Sequence, residues 1–366
     1  MKKVMFVFGT RPEAIKLAPI IKEIKFRNKF DVKIVVTGQH KEMLEQVLDL
    51  FDIVPDYDLG IMKENQTLSE IVTNTIDNIN DILDGERPDL ILIQGDTSSA
   101  LATVLAAFYK RIKIAHVEAG LRTHDRNNPF PEEINRTFIS YLADIHFAPT
   151  SRAVNNLMKE GFTNNVFLTG NSIVDAYKMI LKSIPKSENN KVKKKVVVTA
   201  HRRENFGENM ISIFQAIKTL AERNYKNVEF IVMRHKNPNV SSVIDEYLKG
   251  VDGVTILDPL NYLDFIKLLL ESDFIISDSG GIQEEAACLN KKVLLLREVT
   301  ERQEAVDGGW VKIIGTKFGR IIDEAEMLLK KIEELDAICE KNPYGVGNTS
   351  NIVCNFLENF FMNEVI

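Results

Sequence analysis

Short apolar runs, each ending at a glycine, a charged residue or a turn and followed by a helical pattern, constrain this chain more than any other feature. KVMFVFG (3–9), VKIVVTG (32–38), DLILIQGD (89–96), IKIAHVEAG (112–120) and IHFAPT (145–150) are the first set. Runs this short and this continuously apolar suit strands buried on both faces. Amphipathic stretches such as EAIKLAPIIKEIKF and SSALATVLAAFYKR lie between them. Strand and helix in alternation predict an α/β fold with a parallel, doubly wound sheet. After the polar stretch SIPKSENNKVKKK (183–195) the pattern restarts with VVVTAH (196–201), VEFIVMRH (228–235), GVTILD (253–258), DFIISD (273–278) and KVLLLRE (292–298). Two Rossmann-like domains are therefore expected, which also suits 366 residues. LTGNSIVDA (168–176) marks the crossing between them.

Composition narrows the function classes. A net charge of −6 gives no support for a nucleic-acid or anionic-membrane surface. No segment approaches the roughly 20 apolar residues of a membrane span, and MKKVMFVFGT is too short in its apolar part for a signal peptide. Cys288, Cys339 and Cys354 form no CxxC pair and match no zinc spacing, so no metal is expected. The reading is a cytoplasmic protein with buried free thiols.

Ligands of open parallel sheets bind beyond the carboxyl ends of the strands, where this chain places its unusual residues. FGTRPEAIK follows the first run: Thr10, Pro12 and Glu13 suit a helix start. Arg11 and Lys16 oppose the helix dipole there, so an anionic ligand is expected to offset both. The loop lacks GxGxxG, which speaks against a nicotinamide site. Asp96 in QGDTSSA reads equally as a helix N-cap or as a functional carboxylate. Glu118 and Arg122 in HVEAGLRT read as a solvent-facing ion pair or as site residues. Glu132, Glu133 and Arg136 in NPFPEEINR open a helix. Several carboxylates at such tips are what general acid–base work requires.

In the second half, VTAHRREN puts His201, Arg202 and Arg203 at a strand end, an anion-attracting tip. His235 in MRHKNPNV sits in a turn, and a plain turn role suits it. SDSGGIQEEA (277–286) offers bare amides at a helix mouth, where Gly280 and Gly281 let a phosphate approach and Ser279 can cap or donate. An acid one turn inside that helix can accept from both hydroxyls of a ribose. Phosphate and ribose together mean a nucleotide.

FGTRPEAIKLAPI, TGQHKEML, GDTSSALA, HVEAGLRT, PEEINR, TGNSIVDA, TAHRREN, SDSGGIQEEA, REVTERQEA and NPYGVGN, in this order, resemble the non-hydrolysing UDP-N-acetylglucosamine 2-epimerases. The resemblance runs from about residue 5 to about 349. It implies a GT-B fold with two Rossmann-like domains facing a cleft: 1–172 carrying the acid–base residues, 173–349 binding UDP, and 350–366 as a helix returning to the first domain. The implied reaction inverts carbon 2 of UDP-N-acetylglucosamine to give UDP-N-acetylmannosamine, through UDP elimination to 2-acetamidoglucal and re-addition, with no cofactor. A homodimer is implied as well.

By the same resemblance Arg11, His201 and Ser279, Gly280 and Gly281 meet the diphosphate. Asp96, Glu118 and Glu132 transfer protons, and Lys16 and Arg136 hold the sugar. Glu285, rather than Glu284, takes the ribose, and Phe265 in YLDF contacts the base. Gln39, Glu132, Arg202 and His235 match a second, activating substrate site, although Glu42 and Asn65 depart from the strongly regulated members. Three alternatives stand beside this reading: the hydrolysing relative, which releases N-acetylmannosamine and UDP; a glycosyltransferase on the same fold, for whose acceptor groove no first-domain segment speaks; and a nucleotide-sugar sensor without turnover.

Overall fold

The structure, a computed structural model, describes residues 1–38, 41–63, 66–185, 192–235, 237–335 and 342–363. Gln39 and Asn65 lie outside the described residues, as does the side chain of Glu42. The chain divides into two compact units, Met1–Met179 with Tyr344–Ile366, and Ile180–Pro343.

The first unit holds seven strands: β1 (Lys3–Phe8), β2 (Asp31–Val36), β3 (Tyr57–Asp58), β4 (Leu90–Gln94), β5 (Lys113–Val117), β6 (Ile145–Ala148) and β7 (Val166–Leu168). All pairings are parallel and the order is β3-β2-β1-β4-β5-β6-β7. The second unit holds β8 (Lys194–Thr199), β9 (Val228–Met233), β10 (Val254–Leu257), β11 (Phe274–Ser277), β12 (Lys292–Leu295) and β13 (Val311–Ile313). Its parallel order is β10-β9-β8-β11-β12-β13. The expected pair of Rossmann-like sheets is therefore present.

Every residue of β4 is buried, as helices on both faces of a parallel sheet require, and this explains the unbroken apolar run. Each sheet has its own core. Met5, Val7, Ile91, Ile93, Val104 and Ile139 pack together in the first. Val196, Val198, Phe214, Phe230, Phe274 and Ile276 do so in the second.

Three strands were not legible as apolar runs: β3, β7 and β13. Each is an edge strand of two or three residues, half in contact with water. An edge strand has a neighbour on one side only, so a long apolar run there would be a liability.

The last helix, Thr349–Asn363, belongs to the first unit. Buried Asp175 accepts from Thr349 N at 3.2 Å, Ser350 N at 3.0 Å and Ser350 Oγ at 2.7 Å, which covers the open amides of its first turn. Further along, Arg27 reaches Asn355 at 2.6 Å and Glu358 at 3.1 Å from the helix Arg11–Arg27. Among the described residues no helix is long and apolar enough to cross a membrane.

The strand orders locate the site. In each sheet the chain winds outward in both directions from its first strand, so the order reverses between β1 and β4 and again between β8 and β11. Such reversal points open a crevice at the carboxyl ends of the two strands. The tips there are Gly9–Arg11 with Gly95–Thr97 in the first unit, and Ala200–Arg202 with Asp278–Gly281 in the second.

Candidate active site

At the first reversal point Glu13 ties the two tips together. Its Oε2 accepts from Gly9 N at 3.0 Å, Thr10 N at 2.7 Å and Thr10 Oγ1 at 2.7 Å, while Oε1 accepts from Thr97 Oγ1 at 2.8 Å. Burial pushes this carboxyl above the usual range in spite of those donors. Glu13 is thus a structural acid.

Lys16, one turn later, is buried and its ammonium pairs with Glu118 Oε2. The expectation that Arg11 and Lys16 both wait for an anionic ligand is corrected for Lys16, because a protein carboxylate offsets its charge. Arg11 stands half-buried at the first position of the helix.

Glu118 follows β5 with φ of 68°, a left-handed conformation that costs a non-glycine residue about 1 kcal/mol or more. Its Oε2 also accepts from Asn171 Nδ2 at 3.1 Å. Two residues on, Gly120 has φ of 88°, and a Cβ there would lie 2.3 Å from Ala153 O. Arg122 does not pair with Glu118. It is buried against Glu160 with two hydrogen bonds of 2.8 Å, and also donates to Ser140 Oγ and Leu121 O, so its role is structural.

Asp96 is not the N-cap of Ser98–Tyr109. Thr97 is, its hydroxyl accepting from Ala100 N at 3.1 Å. The Asp96 carboxylate instead receives Arg136 Nε at 2.9 Å and NH2 at 2.5 Å, both on Oδ2. Its side chain stays 25% exposed, so a ligand can reach it. Below it, His116 Nε2 donates to Gly95 O at 2.8 Å; desolvation lowers this histidine's pKa to about 3, so it is a neutral support of the β4 tip.

The paired acids of the helix Glu132–Leu142 divide their work. Glu133 is buried, accepting from Thr123 N, His124 N and Arg136 NH1, and so shapes the preceding loop. Glu132 is half-buried at the helix start.

At the second reversal point, fully buried Asp278 organises the tip of β8. It accepts from His201 N at 2.9 Å, Arg202 N at 2.9 Å and Asn205 Nδ2 at 3.0 Å. His201 is partly exposed, and its ring stacks on His235 with centroids 5.2 Å apart. Desolvation lowers the pKa of His235, against the opposing pull of Asp278.

Ser279 is the N-cap residue of Gly280–Cys288, yet its side chain makes no capping hydrogen bond. A Cβ at Gly280 would meet Arg302 NH1 at 3.0 Å and Arg202 NH2 at 3.3 Å, so two guanidiniums flank the first residue of the helix. Open helix amides and the Arg202 guanidinium stand together here, whereas the Arg302 guanidinium is already paired with the buried carboxylates Glu284 and Glu301. Arg202, expected at a second substrate site, is thus brought beside Gly280.

The adjacent acids of this helix also differ. Buried Glu284 accepts from Arg302 Nε at 2.7 Å and belongs to the fold, whereas half-buried Glu285 accepts from Tyr262 OH at 3.1 Å. Phe265 lies half-buried one turn along from Tyr262 in the helix Tyr262–Glu271.

Sequence reasoning missed Arg302, Tyr262 and Asn171 as members of these sites. All three stand inside the motifs TERQEA, YLDF and TGNS. Their signal was a polar group one helical turn or one strand away from a site residue.

The family model described as UDP-N-acetylglucosamine 2-epimerase matches residues 22–358. A UDP-N-acetylglucosamine 2-epimerase of Campylobacter jejuni is 43% identical, with both chains covered in full. A Neisseria meningitidis UDP-GlcNAc 2-epimerase, solved with UDP-GlcNAc bound, superposes with a TM-score of 0.92 at 44% identity, covering 98% of this chain and 100% of that one. An S. aureus MnaA–UDP co-structure superposes with a TM-score of 0.91 at 42% identity, covering 99% and 97%.

Proposed function

The chain belongs to the UDP-N-acetylglucosamine 2-epimerase family and has its GT-B fold, and from that premise we propose that it is the non-hydrolysing enzyme, interconverting UDP-N-acetylglucosamine and UDP-N-acetylmannosamine. The observation that carries this reading is a division of labour. Asp96 and Glu118, each paired with a buried cation, lie in the first unit, whereas Gly280 with its neighbouring Arg202 and Glu285 with its tyrosine donor lie in the second. A nucleotide sugar needs both sets, and a sensor would need only the second.

The proton on carbon 2 is poorly acidic in the intact sugar. As the bond from carbon 1 to the UDP oxygen breaks, its electrons leave with UDP and positive character at carbon 1 acidifies that proton. A carboxylate among Asp96, Glu118 and Glu132 takes it, and the carbon 1–carbon 2 double bond of 2-acetamidoglucal forms. Return of a proton to the opposite face, with re-addition of the UDP oxygen at carbon 1, gives the inverted sugar.

Arg11, His201 and the Ser279–Gly281 amides stabilise the leaving diphosphate, with Arg202 and Arg302 beside them. Lys16 and Arg136 orient the catalytic carboxylates and hold the sugar. Glu285 binds the ribose, and Phe265 contacts the base. No metal or nicotinamide takes part. A second, activating substrate site is proposed at Arg202, His235 and Gln39, the last of these outside the described residues.

A homodimer is proposed as well. Phe108 and Tyr109 at the end of one helix, and Phe138 and Tyr141 on the helix packed beside it, are all at least half exposed, an apolar face suited to a second copy. The cysteines, lacking paired spacing, suit the reducing cytoplasm.

Product identity tests the function. The purified protein is incubated with UDP-N-acetylglucosamine and the sugars are resolved by NMR. UDP-N-acetylmannosamine supports the proposal. Free N-acetylmannosamine with UDP would establish the hydrolysing relative instead, and an unchanged substrate would leave only nucleotide-sugar binding.

A further inference from the structure

Glu285 and Tyr262 come from different helices, and the hydrogen bond between them fixes something that the helix carrying Glu285 does not fix alone. Glu285 lies on Gly280–Cys288, with its side chain at the boundary between protein and solvent. A glutamate side chain there has three rotatable bonds, and ordering it for a ligand costs conformational entropy. Tyr262, in contrast, is 1% exposed and among the largest fully buried side chains of the protein. It opens the helix Tyr262–Glu271, whose start is fixed by the N-cap Asn261 accepting from Asp264 N at 2.9 Å. Its ring is locked by packing, and its hydroxyl donates to Glu285 Oε1 at 3.1 Å.

We infer that Tyr262 is a positioning residue for nucleotide binding: its buried hydroxyl sets the plane of the Glu285 carboxylate so that the group is ready to accept both hydroxyls of a ribose. The inference deepens the reading of Glu285 given above and rests on it. A carboxylate has about four acceptor directions over two oxygens. A donor on one direction of Oε1 pins the plane of the group. A tyrosine hydroxyl does this without neutralising the charge, so the carboxylate remains a strong acceptor for a neutral diol. Tyr262 therefore contributes to the choice of ribonucleotide without touching it.

The test measures binding of UDP and of 2′,3′-dideoxyuridine diphosphate by calorimetry to the full-length protein and to three variants, Tyr262→Phe, Glu285→Ala and the double variant. Tyr262→Phe removes one oxygen from a packed ring. It is expected to weaken UDP binding about 5- to 10-fold, the scale of one lost hydrogen bond to a charged group partly replaced by water. Binding of the dideoxy ligand should be unchanged, and Tyr262→Phe should add no further loss in the Glu285→Ala background. If Tyr262→Phe leaves UDP binding unchanged while Glu285→Ala weakens it, the positioning role is wrong and the ribose role of Glu285 stands. Equal weakening toward both ligands would mean that the hydroxyl acts only through the fold, which also overturns the inference. If Glu285→Ala itself leaves UDP binding unchanged, the ribose role fails first and Tyr262 falls with it.

Discussion

Lys16 and Glu118, 102 positions apart in sequence, form a buried ion pair at the carboxyl ends of β1 and β5, with side chains only 6% and 7% exposed. Neither could be assigned the other from sequence, because their meeting depends on the strand order β1-β4-β5. A buried pair of this kind contributes little net stability, but losing one partner strands a charge. Lys16→Met alone or Glu118→Gln alone should each cost about 3–5 kcal/mol in a denaturant titration. The double variant should recover most of that loss and remain inactive, which separates the pair's contribution to folding from its contribution to turnover.

Asp96 offers a cleaner separation, because its carboxylate is partly exposed and the adjacent helix is capped by Thr97. Asp96→Asn removes one carboxylate partner of buried Arg136, which keeps Glu133, so it should cost about 1–3 kcal/mol of stability and leave UDP affinity near that of the parent. Steady-state rates should fall by about 10²- to 10⁴-fold, the usual weight of a general acid or base. An unchanged rate would remove Asp96 from the proton-transfer set.

The neighbouring acids Glu284 and Glu285 should respond in opposite ways. Glu284→Ala removes a buried partner of Arg302 and should destabilise the second unit by about 3 kcal/mol, seen as a lower midpoint in thermal or urea unfolding. Glu285→Ala should change stability by less than about 1 kcal/mol and weaken UDP binding.

Acid should destabilise the first unit through two buried histidines that face each other across β5 and β6, His116 and His146. Desolvation lowers their pKa values to about 3 and about 4. An unfolded histidine titrates near 6.5, so below that pH the unfolded chain binds protons that the folded chain refuses. Stability is therefore full above pH 6.5 and falls as the pH drops toward 4. The two histidines together should cost on the order of 4 kcal/mol between pH 7 and pH 5. His116→Asn/His146→Asn should flatten that slope in unfolding curves taken across the range.

The central strands of both sheets were legible because burial on two faces leaves an unbroken apolar run, as in LILIQ of β4. The edge strands β3, β7 and β13 lack that signature for the reason that makes them edges. Of the site, the strand-tip motifs could be read, since glycine, arginine and acid at a strand end have few other uses. The division between neighbouring acids could be read only through the family resemblance. Glu132 from Glu133 and Glu284 from Glu285 are separated by which way each side chain turns, and that is set by Arg136, Arg302 and Tyr262 on other segments. Asp96 was ambiguous for a local reason, because an acid and a threonine stood side by side at a helix start and either could have been the cap.

In the proposed reaction a proton leaves and returns at carbon 2 while UDP is detached. The most direct measurement is incubation of the protein with UDP-N-acetylglucosamine in heavy water, with the carbon 2 position followed by NMR. Deuterium at carbon 2 of the UDP-N-acetylmannosamine formed, and with time in the recovered substrate, is the predicted result. Inversion with the original hydrogen retained at carbon 2 would contradict elimination and re-addition by exchanging carboxylates.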